Sequence, residues 1–271
     1  MTFDSNLAWK EATAAIAANR EVFYALAGVF FLLPTLAFGL LHPQPQPGAG
    51  MSPEQALAMI QTFYMEAMPW LVPMMLVQAV GSLAILALLT DHRRPTVAQA
   101  IRLGLTGLLP YLLAQFLVGM GAGFVAVALV GTGFALGGVP VGVAAGALAV
   151  AGVIYAMVKT SLAAPVIMVE GQRNPVAALK RSWALTRGNS SRIAVFYLLV
   201  GIAFAIISML VGVVFGVAGA LLGGSETARA VEVVATSGVG AVVTLYTMGI
   251  VAAVHRQLAG PGAAAISETF E

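Results

Sequence analysis

The stretch that decides the fold is residues 193–222, IAVFYLLVGIAFAIISMLVGVVFGVAGALL, in which no residue is charged. About 20 apolar residues in a helix cross the hydrocarbon core of a membrane, which is about 30 Å thick. Apolar runs of this kind recur along the chain, at residues 22–41, 68–90, 107–131, 136–158, 193–222 and 231–254. The sequence therefore predicts an all-α integral membrane protein with six transmembrane helices.

The composition of the whole chain supports this class. Of the 271 residues, 60% are hydrophobic and 9% are charged, whereas soluble domains carry about 25% charged residues. These values exclude a soluble globule, a disordered chain and an appended soluble catalytic domain. We therefore expect a single polytopic membrane domain over residues 1–271, with a short cytoplasmic tail at 256–271.

Cysteine is absent from the sequence. Disulfides, thiolate metal sites and cysteine nucleophiles are therefore excluded.

The distribution of basic residues predicts the topology. When alternate loops are assigned to the same side, every Lys and Arg except Arg229 falls on one side. Basic residues near short loops are retained in the cytoplasm. Both termini are therefore expected in the cytoplasm.

Two loop segments indicate an internal repeat. Residues 91–102 (DHRRPTVAQAIR) align without gaps on residues 170–181 (EGQRNPVAALKR). The simplest interpretation is three copies of one unit, an interfacial helix followed by a helical hairpin, at 3–90, 91–169 and 170–255. We expect short helices at 5–19, 95–104 and 175–187 to lie along the cytoplasmic surface of the membrane.

The loop after the first apolar run contains a helix start. Ser52 is a predicted N-cap, Pro53 stands at the first helical position, and Gln55 completes a capping-box pattern. The helix that begins here is expected to lie on the outer surface until Pro69 and Pro73 bend the chain into the second span.

Residues 174–188 predict a basic amphipathic helix that starts at Asn174 and ends at Gly188. Val176, Leu179 and Trp183 share one face, which suits a helix at headgroup level with Trp183 as its anchor. The candidate contacts to anionic lipid are Lys180, Arg181, Arg187 and Trp183. The alternative is that these charges only fix the topology.

This region resembles a known family. The segments 164–165 (AP), 169–171 (VEG) and 178–188 (ALKRSWALTRG) resemble the membrane domain of bacterial glycerophosphoryl diester phosphodiesterases and a related family of uncharacterised six-span inner-membrane proteins. Family members often carry an aromatic residue shortly after the glycine, where this chain has Asn189, Ser190 and Ser191.

The resemblance implies a location in the bacterial inner membrane. In those phosphodiesterases the activity belongs to a separate soluble barrel with its own metal ligands. The resemblance therefore implies a membrane module and not a phosphodiesterase.

A search for catalytic groups indicates no enzyme. The three histidines, His42, His92 and His255, fall in different loops, so no metal-binding pair is predicted. No Ser-His-Asp order or phosphate-binding glycine loop is present either. We expect no cofactor and no metal.

Among the acidic residues, Glu170 is the best candidate for a functional role. It is predicted to form a structural ion pair with Arg173 or Arg181, with Arg173 as the first choice.

The sequence favours a non-catalytic membrane protein that acts in membrane or lipid-related organisation. Its expected partners are membrane lipids, with a membrane-protein partner or a homo-oligomer as further options and no nucleic acid. The alternative is a small permease or an accessory subunit of a transporter.

Overall fold

The computed structural model describes residues 2–45, 48, 50–90 and 95–260. Within these ranges the regular elements are all helical, which confirms the all-α class. A π-helical segment, Gly28–Leu32, joins the second helix to the third. The α-helices are α1 Ser5–Ala18, α2 Arg20–Ala27, α3 Leu33–Leu41, α4 Pro53–Thr90, α5 Val97–Thr160, α6 Ala163–Val169, α7 Pro175–Leu185 and α8 Ser190–Ala259.

Four continuous helical stretches in the described part of the chain are long and apolar enough to cross a membrane. They are Arg20–Leu41, Pro53–Thr90, Val97–Val169 and Ser190–Ala259. The sequence predicted six such helices. The difference arises because α5 has 64 residues and α8 has 70, so that each contains two of the predicted apolar runs.

Helix α5 reverses direction at Gly138, where φ is 62° and ψ is −155°. On either side of this residue the helix folds back on itself. A Cβ atom added to Gly133 would lie 2.7 Å from Cβ of Ala145, and one added to Gly142 would meet the ring of Phe134 at 2.5 Å. In a straight helix, positions 133 and 145 would be about 18 Å apart. Helix α5 is therefore a helical hairpin.

Helix α8 is a second hairpin, with its reversal at Gly224 (φ 80°, ψ −165°). A Cβ atom on Gly219 would lie 2.6 Å from Cα of Ala228, and one on Gly212 would lie 3.5 Å from Cγ2 of Thr236. Small residues thus let the two arms approach closely, as they do in membrane helix pairs generally.

The prediction of a short interfacial helix at residues 95–104 is wrong. The segment 95–104 contains no separate short helix, because α5 begins at Val97 and continues into the apolar run. Thr96 caps its start in a capping box with Gln99. No residue interrupts the helix after Arg102, since Gly104 and Gly107 are helical and buried. The other two predicted helices exist as α1 and α7.

The predicted helix start after the first apolar run is confirmed. Ser52 N donates to Oε1 of Gln55 at 3.0 Å, and Gln55 N donates to Oγ of Ser52 at 3.3 Å. The prediction that this helix is separate and lies on the outer surface is wrong, because α4 continues through Pro69 and Pro73 to Thr90.

The chain forms two compact units. The first comprises Met1–Ala18, Leu83–Gly201 and Thr247–Glu271, and its core includes the fully buried side chains of Leu162, Val166, Ile167, Ile193 and Val254. Of the tail predicted from residue 256, residues 256–259 belong to α8, and 261–271 lie outside the described residues.

The second unit comprises Asn19–Ser82 and Ile202–Tyr246. Gln78 Nε2 donates to Oγ1 of Thr35 at 3.2 Å, and Arg229 Nη1 donates to the carbonyl of Gly39 at 3.2 Å. These polar contacts tie α3 to α4 and to α8.

Candidate functional site

Helix α7 and the turn that follows it carry the basic residues of the candidate site, and local signals fix both ends of the helix. Oδ1 of Asn174 accepts hydrogen bonds from the backbone N–H groups of Val176 at 3.0 Å and Ala177 at 3.2 Å. This is the predicted N-cap, and it is confirmed. The helix ends at Leu185, before the turn at Gly188, where φ is 82°.

The inner face of α7 is packed inside the first unit, to which the helix belongs. Ala178, Ser182 and Leu185 are buried. Oγ of Ser182 donates to the carbonyl of Lys159 at 2.8 Å and accepts from the N–H of Leu162 at 3.2 Å. Ser182 therefore satisfies two backbone groups at the junction of α5 and α6 and holds α7 against it. The helix does not project freely from the protein.

The basic residues of α7 and of the turn that follows it, where Arg187 lies, are exposed. The side chains of Lys180 and Arg187 are exposed, and neither has a partner among the residues that the structure describes. Arg181 is also exposed, but its Nε donates to both oxygens of Glu170, at 2.9 Å and 3.2 Å. Two of the three predicted lipid-contacting cations are thus unpaired, and the third is held in an ion pair.

Trp183 forms one wall of an aromatic cage around a buried lysine. Nζ of Lys159 lies 5.3 Å from the ring centroid of Trp183 and 5.6 Å from that of Tyr155. The two rings are 5.7 Å apart and nearly perpendicular. Lys159 is only 4% exposed, so the rings supply the cation–π attraction that offsets part of its lost hydration. Trp183 itself remains 45% exposed.

Sequence reasoning missed this cage. Tyr155 and Lys159 stand one helical turn apart at the end of α5, which is a local signal for an aromatic–cation pair. Trp183, in contrast, reaches the pair from another helix.

The carboxylate of Glu170 joins α7 to the end of α8. His255 Nε2 lies 3.1 Å from Oε1 of Glu170, and Arg181 Nε lies 2.9 Å from Oε2. His255 follows the last predicted apolar run and is 2% exposed. Burial lowers the pKa of His255, and the neighbouring Glu170 carboxylate opposes that shift. Since a carboxylate only accepts hydrogen bonds, the neutral ring carries its proton on Nε2.

The first choice of ion-pair partner for Glu170, Arg173, is wrong, and the alternative, Arg181, is the partner that the structure shows. Arg173 Nη2 instead donates to Oγ1 of Thr106 at 3.4 Å. The physical reason is the left-handed turn at Gly171 (φ 68°), after which Arg173 extends towards α5. The carboxylate of Glu170 is left to Arg181 on α7.

The cluster of Glu170, Arg181 and His255 can hold a proton and ties α7 to α8. Among the described residues no group of three or more His, Cys, Asp or Glu side chains could hold a metal ion. His42 belongs to the second unit, where its ring stacks on Phe38 at 5.2 Å. His92 lies outside the described residues.

These features define an all-helical protein with long apolar hairpins and an exposed basic helix. The chain belongs to a family described as a domain of unknown function, DUF7847, which matches residues 10–258. Neither a curated protein nor a solved structure matches the chain. The family description names no function, so the resemblance to the membrane domain of the phosphodiesterases stays a prediction.

Proposed function

We propose that the protein is a non-catalytic inner-membrane protein of bacteria that crosses the bilayer six times and contacts anionic lipid through α7. The six crossings would be the six apolar runs, which lie in α2 to α3, in α4, in the two arms of α5 and in the two arms of α8, where the last run ends at Val254. The reversals at Gly138 and Gly224 support this count, because they divide the two longest helices into antiparallel arms.

The orientation rests on charge. With six crossings, all Lys and Arg residues except Arg229 fall on the side of the termini, which the positive-inside rule places in the cytoplasm. Helix α7 then lies at the cytoplasmic surface.

The observation that carries the proposed lipid contact is the outer face of α7. It presents the unpaired cation of Lys180 and the half-exposed ring of Trp183, and the turn that follows the helix adds the unpaired cation of Arg187. A basic residue near an anionic membrane surface contributes about 1 kcal/mol to binding, and an indole ring prefers the interface between headgroups and acyl chains. The role that fits this arrangement is lipid-related organisation of the membrane.

A double substitution tests the contact. Lys180→Gln with Arg187→Gln removes the two unpaired cations and keeps the ion pair of Arg181. Two contacts of about 1 kcal/mol each predict a roughly 30-fold loss of affinity for anionic lipid if they are additive. Native mass spectrometry in mild detergent, with phosphatidylglycerol titrated against phosphatidylcholine, measures this loss.

The matched control removes cations elsewhere on the same side. Lys10→Gln with Arg102→Gln changes the net charge equally, and both residues are exposed outside α7. Equal loss in the control and the test variant would reduce the α7 charges to topology determinants. Stabilisation of the protein by a soluble solute, without effect of anionic lipid, would favour the alternative of a permease or transporter subunit.

A further inference from the structure

A groove of about 350 Å³ lies where the N-terminal segment meets the start of α8. Its volume falls within the range of small-molecule sites, about 300–1,000 Å³. Seven residues line it, none of them on α7: Phe3, Ser5, Ser191, Arg192, Val195, Phe196 and Leu199.

The floor of the groove is built from fixed side chains. The rings of Phe3 and Phe196 are 5.6 Å apart, and both residues are buried. Phe3 N donates to Oδ1 of Asn189 at 3.0 Å. The N-terminal segment is also held by Gln257, whose side chain bonds both backbone groups of Asp4 at 3.2 Å. The groove therefore exists before any ligand binds.

The groove is polar at one end and apolar at the other. Ser5, Ser191 and Arg192 form the polar end, and their side chains have no partner within the described part of the chain. Val195 and Leu199 follow on successive turns of α8 and remain 56% and 61% exposed. Eight helical residues separate Ser191 from Leu199, which corresponds to about 12 Å along the helix axis.

This order of groups matches a glycerophospholipid. The guanidinium of Arg192 presents several N–H donors to a phosphate, and the two serine hydroxyls add further donors. The apolar wall begins one turn later, where an acyl chain would leave the phosphate. A soluble phosphate ester would fill only the polar end and leave Val195 and Leu199 exposed.

We propose that this groove binds one anionic phospholipid, with the phosphate at Arg192, Ser5 and Ser191 and an acyl chain along Val195 and Leu199. The proposal rests on the proposed function only in that α8 enters the membrane at this point. It differs from the α7 contact because the groove has a shape and a fixed floor, whereas the cations of α7 stand on an open face.

The test uses the full chain in mild detergent and native mass spectrometry. The probes are phosphatidylglycerol, phosphatidylcholine with the same acyl chains, and glycerol phosphate as the headgroup alone. The expected result is one tightly held phosphatidylglycerol in the unchanged protein, with weaker phosphatidylcholine and no retained glycerol phosphate.

Two kinds of variant separate the two ends of the groove. Arg192→Gln should weaken phosphatidylglycerol binding about fivefold, whereas Arg192→Lys should keep most of the affinity. Val195→Trp fills the apolar end and should weaken both lipids. Arg102→Gln, which removes an exposed cation outside the groove, should leave the bound lipid in place.

Three results would overturn the proposal. They are unchanged phosphatidylglycerol binding in Arg192→Gln, equal loss in Arg102→Gln, and glycerol phosphate binding as tightly as the lipid. A thermal melt in lipid-free detergent checks that each variant is folded, and Arg192→Gln alone decides if Val195→Trp does not fold.

The α7 double variant keeps this proposal distinct from the function proposed above. Loss of lipid in Lys180→Gln with Arg187→Gln, but not in Arg192→Gln, would support the lipid contact at α7 and overturn the lipid site in the groove. Loss of lipid in Arg192→Gln alone would support the lipid site in the groove and overturn the lipid contact at α7.

Discussion

The Nε2 atom of His255 binds Oε1 of Glu170 at 3.1 Å, and the Nε atom of Arg181 donates to both carboxylate oxygens, with the shorter bond to Oε2 at 2.9 Å. The two contacts differ in environment. The side chain of His255 is 3% exposed, whereas that of Arg181 is 45% exposed. Exposed ion pairs contribute about 0–1 kcal/mol, and a buried donor left without its acceptor costs about 1–3 kcal/mol. The contribution of Glu170 to stability therefore depends mainly on His255.

The first prediction ranks substitutions in this cluster. Glu170→Ala leaves the buried N–H of His255 without an acceptor and should destabilise the protein by about 1–3 kcal/mol. Glu170→Gln keeps an acceptor and should cost less. Arg181→Gln should cost about 0–1 kcal/mol, because only an exposed pair is lost. Chemical denaturation in detergent measures the order, and a loss in Arg181→Gln as large as in Glu170→Ala would contradict it.

The second prediction concerns pH. Burial lowers the pKa of His255 in the folded protein, while in the unfolded chain the pKa of a histidine is about 6.5. As the pH falls through about 6.5, the unfolded chain binds a proton that the folded protein does not, and stability decreases. Thermal unfolding between about pH 8 and pH 5 should therefore show a falling midpoint below about pH 6.5.

The variant His255→Gln should flatten this dependence, because its amide donates to Glu170 and does not titrate. His42→Gln is the matched control, since His42 belongs to the second unit. An unchanged pH slope in His255→Gln would show that another group is responsible.

Local chemistry explains which features were predictable from the sequence. The cap at Asn174 and the capping box at Ser52 depend on residues within one helical turn, and both are found as predicted. The pairing of Glu170 with His255 joins residues that are 85 positions apart. No periodicity or spacing carries that information, because the pairing depends on how α7 and α8 pack.

Helix borders were predictable only where the chain has a strong break. Asn19 has φ −137° and ψ 44°, and Gly188 has φ 82°, and these residues separate α1 from α2 and α7 from α8. The predicted border between the short helix at 95–104 and the apolar run at 107–131 is absent, because Gly104 and Gly107 are helical and buried. A Cβ atom on Gly107 would lie 2.7 Å from Sδ of Met168, so this glycine serves close packing instead of a turn.

The third prediction concerns the reversal of α5. Gly138 adopts φ 62° and ψ −155°, a region that is essentially restricted to glycine. Gly138→Ala should therefore cost about 1–3 kcal/mol. Gly146→Ala is the control, because no atom lies within 4 Å of the added methyl group. Unfolding in detergent compares the two, and equal stability would argue against the hairpin at Gly138.

The last prediction tests the six crossings directly. Because the chain contains no cysteine, a single substitution gives one labelling site for a membrane-impermeant maleimide. Leu136→Cys lies beside the reversal of α5 and Ser225→Cys beside that of α8, and both positions are exposed. With six crossings, both should label in intact spheroplasts, whereas Lys180→Cys should label only after lysis. Leu210→Cys, in the middle of an arm of α8, should stay unlabelled in both. If α5 and α8 each crossed once, Leu136→Cys and Ser225→Cys would lie within the bilayer and would label from neither side.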